Sequence, residues 1–111
     1  KFLSKELKFN DEQQQQLRKL MEENRNEMDA LRNTNRELHD TYFGMLGDAD
    51  IDSAKVSAIA DSITNLQNKI ELLTFYHFRK VRAICNEEQQ KNYDILINDA
   101  LRMMAPPPPR K

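Results

Sequence analysis

Phe9-Asn10-Asp11-Glu12-Gln13-Gln14 and Cys85-Asn86-Glu87-Glu88-Gln89-Gln90 share one pattern: apolar, Asn, acid, acid, Gln, Gln. An Asn at the N-cap accepts a hydrogen bond from an unpaired backbone N–H of the first helical turn. A Gln three residues later reaches back to the cap residue's own N–H. The two acids between them sit where the helix dipole favours negative charge. Each stretch therefore starts a helix, and helical periodicity follows each of them. One such box is ordinary, but two in a chain of 111 residues organise the whole sequence.

Downstream of Asn10, positions Leu17, Met21, Asn24, Met28, Leu31, Asn35, Leu38, Tyr42 and Met45 step alternately by four and three. That spacing is a heptad seam, and Asn24 and Asn35 are the polar interruptions that fix register at some cost in stability. Gly44 and Gly47 predict a glycine C-cap, and the breaker-rich run to Asp52 predicts a turn. A second helix is expected from Asp52 or Ser53. Its seam is Val56, Ile59, Ile63, Leu66, Ile70, Leu73, His77, Val81 and Ile84, with one stretched step after His77. A third, from Asn86 to Ala105, carries Tyr93, Leu96, Ile97, Ala100, Leu101 and Met104. Residues 1–8 read as a short helix or a frayed lead-in. Residues 1–105 read as a single domain, and residues 106–111 as a Pro-rich tail in polyproline II conformation.

A helix of roughly 33 residues spans about 50 Å, whereas a compact domain of this size has a radius of gyration near 13 Å, about a quarter of that length. The expected fold is therefore all-α: a long antiparallel helical hairpin plus a shorter third helix. One hairpin leaves much of each apolar stripe uncovered, so an intertwined or cradle-like dimer is expected to cover it. Composition agrees, with 32% charged against 39% hydrophobic residues and no Trp, which suits narrow stripes rather than a thick core. A net charge of −1 argues against nucleic acid as a partner. The single Cys85 excludes an intramolecular disulfide and a Cys-based zinc site. No run of about 18 apolar residues is present to cross a membrane. A start at Lys1 is compatible with a removed signal peptide or anchor.

The paired helix starts resemble the Leu-Thr-x-x-Gln motifs of the Spy/CpxP-like periplasmic proteins, a superfamily that also holds heavy-metal resistance and sensor proteins. Phe9 and Cys85 stand in the Leu places, Asn10 and Asn86 in the Thr places, and Gln13 and Gln89 keep the Gln. The resemblance spans about residues 8–104. It implies a cradle-shaped homodimer of the bacterial envelope that is not an enzyme. The expected function is a periplasmic stress-response protein that binds other proteins, either unfolded clients in chaperone fashion or an envelope stress-signalling partner. A heavy-metal sensor or resistance protein is the alternative, and a structural coiled-coil adaptor a second one. The expected location is periplasmic, with membrane attachment only through a segment outside this chain.

Beyond the caps, the densest candidate surface is the aromatic and basic run around residues 74–82. Phe75, Tyr76, His77 and Phe78 in succession cover all sides of a helix, so at least one faces outward or into a partner. Phe75, Tyr76, Phe78, Arg79 and Arg82 are the candidate client or dimer surface. His77 reads as a packed seam residue, and the sharper reading is a pH-responsive one. No cofactor is firmly implied. For a divalent metal ion the best ligands are His39, Asp40 and His77, but in a hairpin turning near residues 47–50 the two histidines lie about 30 Å apart. Only a dimer would bring them together. Met21 and Met28 read as core, and Met103 and Met104 as free to contact clients. The remaining acids stand beside Lys or Arg at helix-surface spacing, and no nucleophile motif frames Ser, His or Asp, so no enzyme is read.

Overall fold

The computed structural model describes residues 6–104, and the side chains of residues 6–102. The expected end of the third helix at Ala105, the Pro-rich tail and the side chains of Met103 and Met104 lie outside the described residues. Three long helices account for the described chain: α1 Asp11–Gly44, α2 Ser53–Ile84 and α3 Glu87–Met104, with a 3-10 turn at Met45–Gly47 closing α1. Each starts where its cap predicts. The side chain of Asn10 accepts from Gln13 N at 2.8 Å while Gln13 Oε1 accepts from Asn10 N at 3.0 Å. Asn86 and Gln89 repeat both bonds at 2.8 and 2.9 Å. Asp52 caps α2 by accepting from the backbone N–H groups of Ala54 and Lys55.

The end of α1 departs from expectation. Gly44 has helical angles (φ −60°, ψ −27°), and no described glycine has a positive φ. Instead of a glycine cap, the helix tightens into the 3-10 turn, and Asp48 N–H donates to Met45 O at 3.1 Å. Carbonyls that would end unpaired are satisfied by these shorter-range bonds, so no left-handed residue is needed. The left-handed conformation falls at Lys8 (φ 57°), where it costs an L-residue roughly 1–2 kcal/mol. That turn places Leu7 and Phe9, both buried, on the core. The lead-in is therefore docked, not frayed, at these positions.

Every seam position of α1 is buried or half-buried, and so is every seam position of α2. Full burial, however, is concentrated at one end. Leu7, Phe9, Leu17, Val81, Cys85 and Tyr93 form the core, with Leu20, Met21, Ile84, Leu96 and Ile97 packed against it. Between Leu17 and Met45 no α1 residue is buried, and between Val56 and Val81 only Leu66 is. α1 and α2 meet near both of their ends. Gln13 reaches the carbonyl of Ile84, whereas Tyr42 and Met45 share a hollow with Ile51 and Val56.

α3 is pinned by Tyr93, whose hydroxyl donates to Phe78 O at 3.1 Å, and by an Arg82–Asp94 pair. Leu101, expected on its seam, is largely exposed, because the apolar contacts to the core end at Ile97. The radius of gyration is 19.2 Å and the extents are 61 × 39 × 19 Å. A compact domain of this length would have a radius near 13 Å. The accessible surface is 8981 Å², against roughly 6,400 Å² for a typical monomer of this mass. Among the described residues, no helix is long and apolar enough to cross a membrane.

Candidate functional site

The two glutamines read from sequence as helix punctuation meet in space. Gln13 Nε2 donates to Gln89 Oε1 at 2.7 Å and to Ile84 O at 3.0 Å. Gln89 Nε2 in turn donates to Leu7 O at 3.0 Å and lies 3.3 Å from Gln13 Oε1. Each amide oxygen also caps its own helix start. A primary amide has two donors and an acceptor with two lone pairs, and here nearly all of that capacity is used. A carboxylate could not replace it, since it has no donors for Leu7 O and Ile84 O. The next glutamines repeat the symmetry: Gln14 Nε2 donates to Phe9 O at 3.1 Å, and Gln90 Nε2 to Cys85 O at 3.5 Å and Arg82 O at 3.3 Å. The motif thus ties the start of α1, the end of α2 and the start of α3 into one junction.

Cys85 fills its apolar place as a packing residue. Its thiol is buried and directed at Val81 O, 3.7 Å away, and burial pushes its pKa up, which keeps it a neutral thiol. Burial likewise pushes the Tyr93 phenol up to about 12, consistent with a hydroxyl held as a donor to Phe78 O. The junction is built from amides, backbone carbonyls, a neutral thiol and a neutral phenol.

The candidate client surface divides. Phe75 and Tyr76 are 58% and 56% exposed, and Leu72, which the sequence reading did not single out, joins them at 49%. With exposed Arg79 these residues occupy a face about 100° wide at helical pitch, whose edge at Tyr76 borders a hollow shared with Leu20, Glu23 and Glu27 of α1. Phe75 and Tyr76 pack edge to face, 5.3 Å between ring centroids. Phe78 is half-buried beside His77. Arg82 is committed elsewhere: its Nε and Nη2 bind both oxygens of Asp94, at 2.8 and 3.0 Å. That bond raises the Arg82 pKa and lowers that of Asp94.

A basic wall missed in the sequence lies on α1. Arg18, Arg25 and Arg32 recur every seven residues, about 10 Å apart along the helix. They flank a groove of about 330 Å³ whose apolar lining is Met21 and Met28. The heptad register contained the signal, because all three follow a seam position by one residue. Only Arg32 pairs with an acid among the described residues, at 3.5 Å from the exposed Asp29. Asn24 and His77 line both this groove and a small hollow on the other side of the seam, bordered by Leu20, Glu23, Glu27 and Lys80. His77 is half-buried, and burial followed by the nearby Lys80 charge lowers its pKa. Asn24 Oδ1 and Asn35 Oδ1 are shielded from solvent and accept no hydrogen bond among the described residues.

The metal candidates do not converge within one protomer. His39 Nδ1 is 2.8 Å from Asn35 O, and its ring stacks on Phe43 near the α1 end, whereas His77 sits among residues 18–32 of α1. Asp40 is exposed beside His39. No three His, Cys, Asp or Glu side chains gather into a metal-holding cluster among the described residues.

The family model described as "LTXXQ motif family protein" matches residues 1–96. No curated protein and no solved structure matches the chain.

Proposed function

We propose that this chain, which belongs to the LTXXQ motif family that includes the Spy/CpxP-like proteins, is a periplasmic stress-response protein that binds other proteins rather than an enzyme. The observation that carries the reading is the Leu72–Phe75–Tyr76 face, bare on a molecule whose mean hydropathy is −0.82. Apolar side chains are kept in water where something must cover them. The arginine-walled groove of α1 supplies the complementary electrostatics, attracting acidic segments of unfolded clients or of an envelope signalling partner. Arg79, Arg18 and Arg25 take the role that Arg82, held by Asp94, does not.

The finer architecture belongs to the same proposal. α1 and α2 form an antiparallel hairpin, and two copies pair into a cradle. The excess accessible surface and the half-covered seams support pairing, and the unpartnered oxygens of Asn24 and Asn35 call for donors from outside the protomer. Size-exclusion chromatography with light scattering should give twice the 13.1 kDa chain mass. Suppression of aggregation of a chemically unfolded client, without ATP, is the functional test. A Phe75→Ser/Tyr76→Ser variant should remain folded and lose several-fold in potency. A folded chain that leaves aggregation untouched at stoichiometric excess would defeat the chaperone reading. Calorimetric titration with divalent metals, run alongside, separates the heavy-metal alternative from it.

A further inference from the structure

The end of the molecule where α1 turns into α2 carries a second bare apolar site, remote from Phe75. Leu46 is 77% exposed, Ile51 56% and Phe43 55%. With Tyr42, Val56 and the buried Met45 they line a hollow of about 220 Å³. Its surroundings are acidic. From Glu37 to Asn68 the sequence has six acids (Glu37, Asp40, Asp48, Asp50, Asp52, Asp61) against one cation, Lys55, a net charge of −5. The rest of the chain therefore carries +4, since the whole carries −1. The polarity runs along the molecule, with the negative end at the turn.

We propose that this acidic, aromatic-lined hollow receives the proline-rich basic segment 106–111 of a second copy of the chain. That segment reads Pro-Pro-Pro-Pro-Arg-Lys, and no acid lies between Asp99 and Lys111. Proline runs favour polyproline II, whose preformed shape docks into aromatic-lined grooves at low entropic cost. Proline rings fit against Tyr42, Phe43 and Ile51, while Arg110 and Lys111 meet Asp48, Asp50 and Asp52. Reach favours a second copy. Ala105 follows an 18-residue helix that starts beside the Gln13–Gln89 junction, about 50 Å along α1 from the hollow. Even running straight back along α2, α3 and seven residues at polyproline II rise would span about 49 Å, just short of that distance, and the apolar contacts of α3 to the core end at Ile97. The contact is head-to-tail, distinct from the cradle pairing.

The experiment is nuclear magnetic resonance on the full 15N-labelled chain, titrated with a synthetic peptide of residues 105–111. Shifts confined to residues 42–56, with affinity falling at least tenfold for the Arg110→Glu/Lys111→Glu peptide and for the Leu46→Asp chain, are expected. The same resonances should move when the chain alone is diluted. No shift at millimolar peptide would overturn the proposal, as would shifts centred on residues 72–79. Turn resonances that differ between the chain and its Arg110→Glu/Lys111→Glu variant, yet ignore dilution, would place the tail on its own protomer and overturn the second-copy assignment.

Discussion

Replacing Gln89 by Ala should cost far more than a surface glutamine normally does. Its side chain is nearly buried and serves three segments: the Leu7 carbonyl, the Asn86 backbone N–H and the Gln13 amide. Truncation leaves Leu7 O and the Asn86 N–H without partners in a site too enclosed for full hydration. Each stranded group costs about 1–3 kcal/mol, and the lost packing adds to it, so a total of about 3–4 kcal/mol is expected. For a chain of this length that lowers Tm by about 13–17 °C. Gln14→Ala and Gln90→Ala, whose bonds are peripheral, should each cost about 1 kcal/mol.

The decisive measurement is a double-mutant cycle between Gln13 and Gln89, by denaturant unfolding at one fixed protein concentration. If the two amides act as a pair, the second truncation should cost at least about 1 kcal/mol less in the absence of the first partner. Additive losses, or a Gln89→Ala loss below about 1 kcal/mol with an unchanged m-value, would refute the junction as the determinant of the fold.

Three further outcomes follow from single residues. His77, depressed by burial and by Lys80, binds fewer protons when folded than when unfolded, so its contribution is complete above the unfolded value of about 6.5 and is lost as pH falls below it. Glu22, Glu23, Glu27, Arg18 and Arg25 line the same two hollows as His77; melts taken from pH 8 down to 5.5 should show a decline toward acid that His77→Gln flattens. Arg82→Ala should return the Asp94 carboxyl to its ordinary titration range, read by carbon chemical shifts, and speed hydrogen exchange in α3. Gly44→Ala should stabilise the protein by about 0.5–1 kcal/mol, raising Tm by about 2–4 °C, because the backbone there is helical and the added methyl meets nothing.

The helix starts were legible because capping chemistry acts over three residues, so Asn10–Gln13 and Asn86–Gln89 declare themselves locally. The seams were legible because burial follows heptad spacing from Leu17 to Met45. The pairing of Gln13 with Gln89 was not, since it depends on how far α2 returns before it ends, and no local pattern encodes that distance. Symmetry of the motif was the available signal. Arg82 looked like one more cation on a basic face, because the sequence does not reveal that Asp94, twelve residues on in the next helix, would chelate it. Arg18, Arg25 and Arg32 were visible at heptad spacing, but the acids around them made each look like part of an evenly solvated face. Gly44 misled for a different reason: glycine permits a left-handed cap but does not require one.

Full burial is concentrated at one end of this molecule, and that arrangement makes a last prediction. The core and the paired amides join α1, α2 and α3 near residues 7–20 and 78–97. From there to the turn, α1 and α2 are held by one-sided seams containing two unpartnered asparagine oxygens. Local opening energies track buried apolar contacts, so amide exchange should be slowest at Leu17, Val81 and Ile84 and should quicken steadily toward residues 40–60. A partner laid along the half-covered seam adds contacts only to the fast-exchanging part. Pairing of a second copy along the seams should therefore slow exchange in residues 24–42 and 56–73, leaving the junction amides unchanged. A uniform slowing across the chain would mean that the whole domain folds on association, and the picture of a stable junction that presents looser surfaces would have to be abandoned.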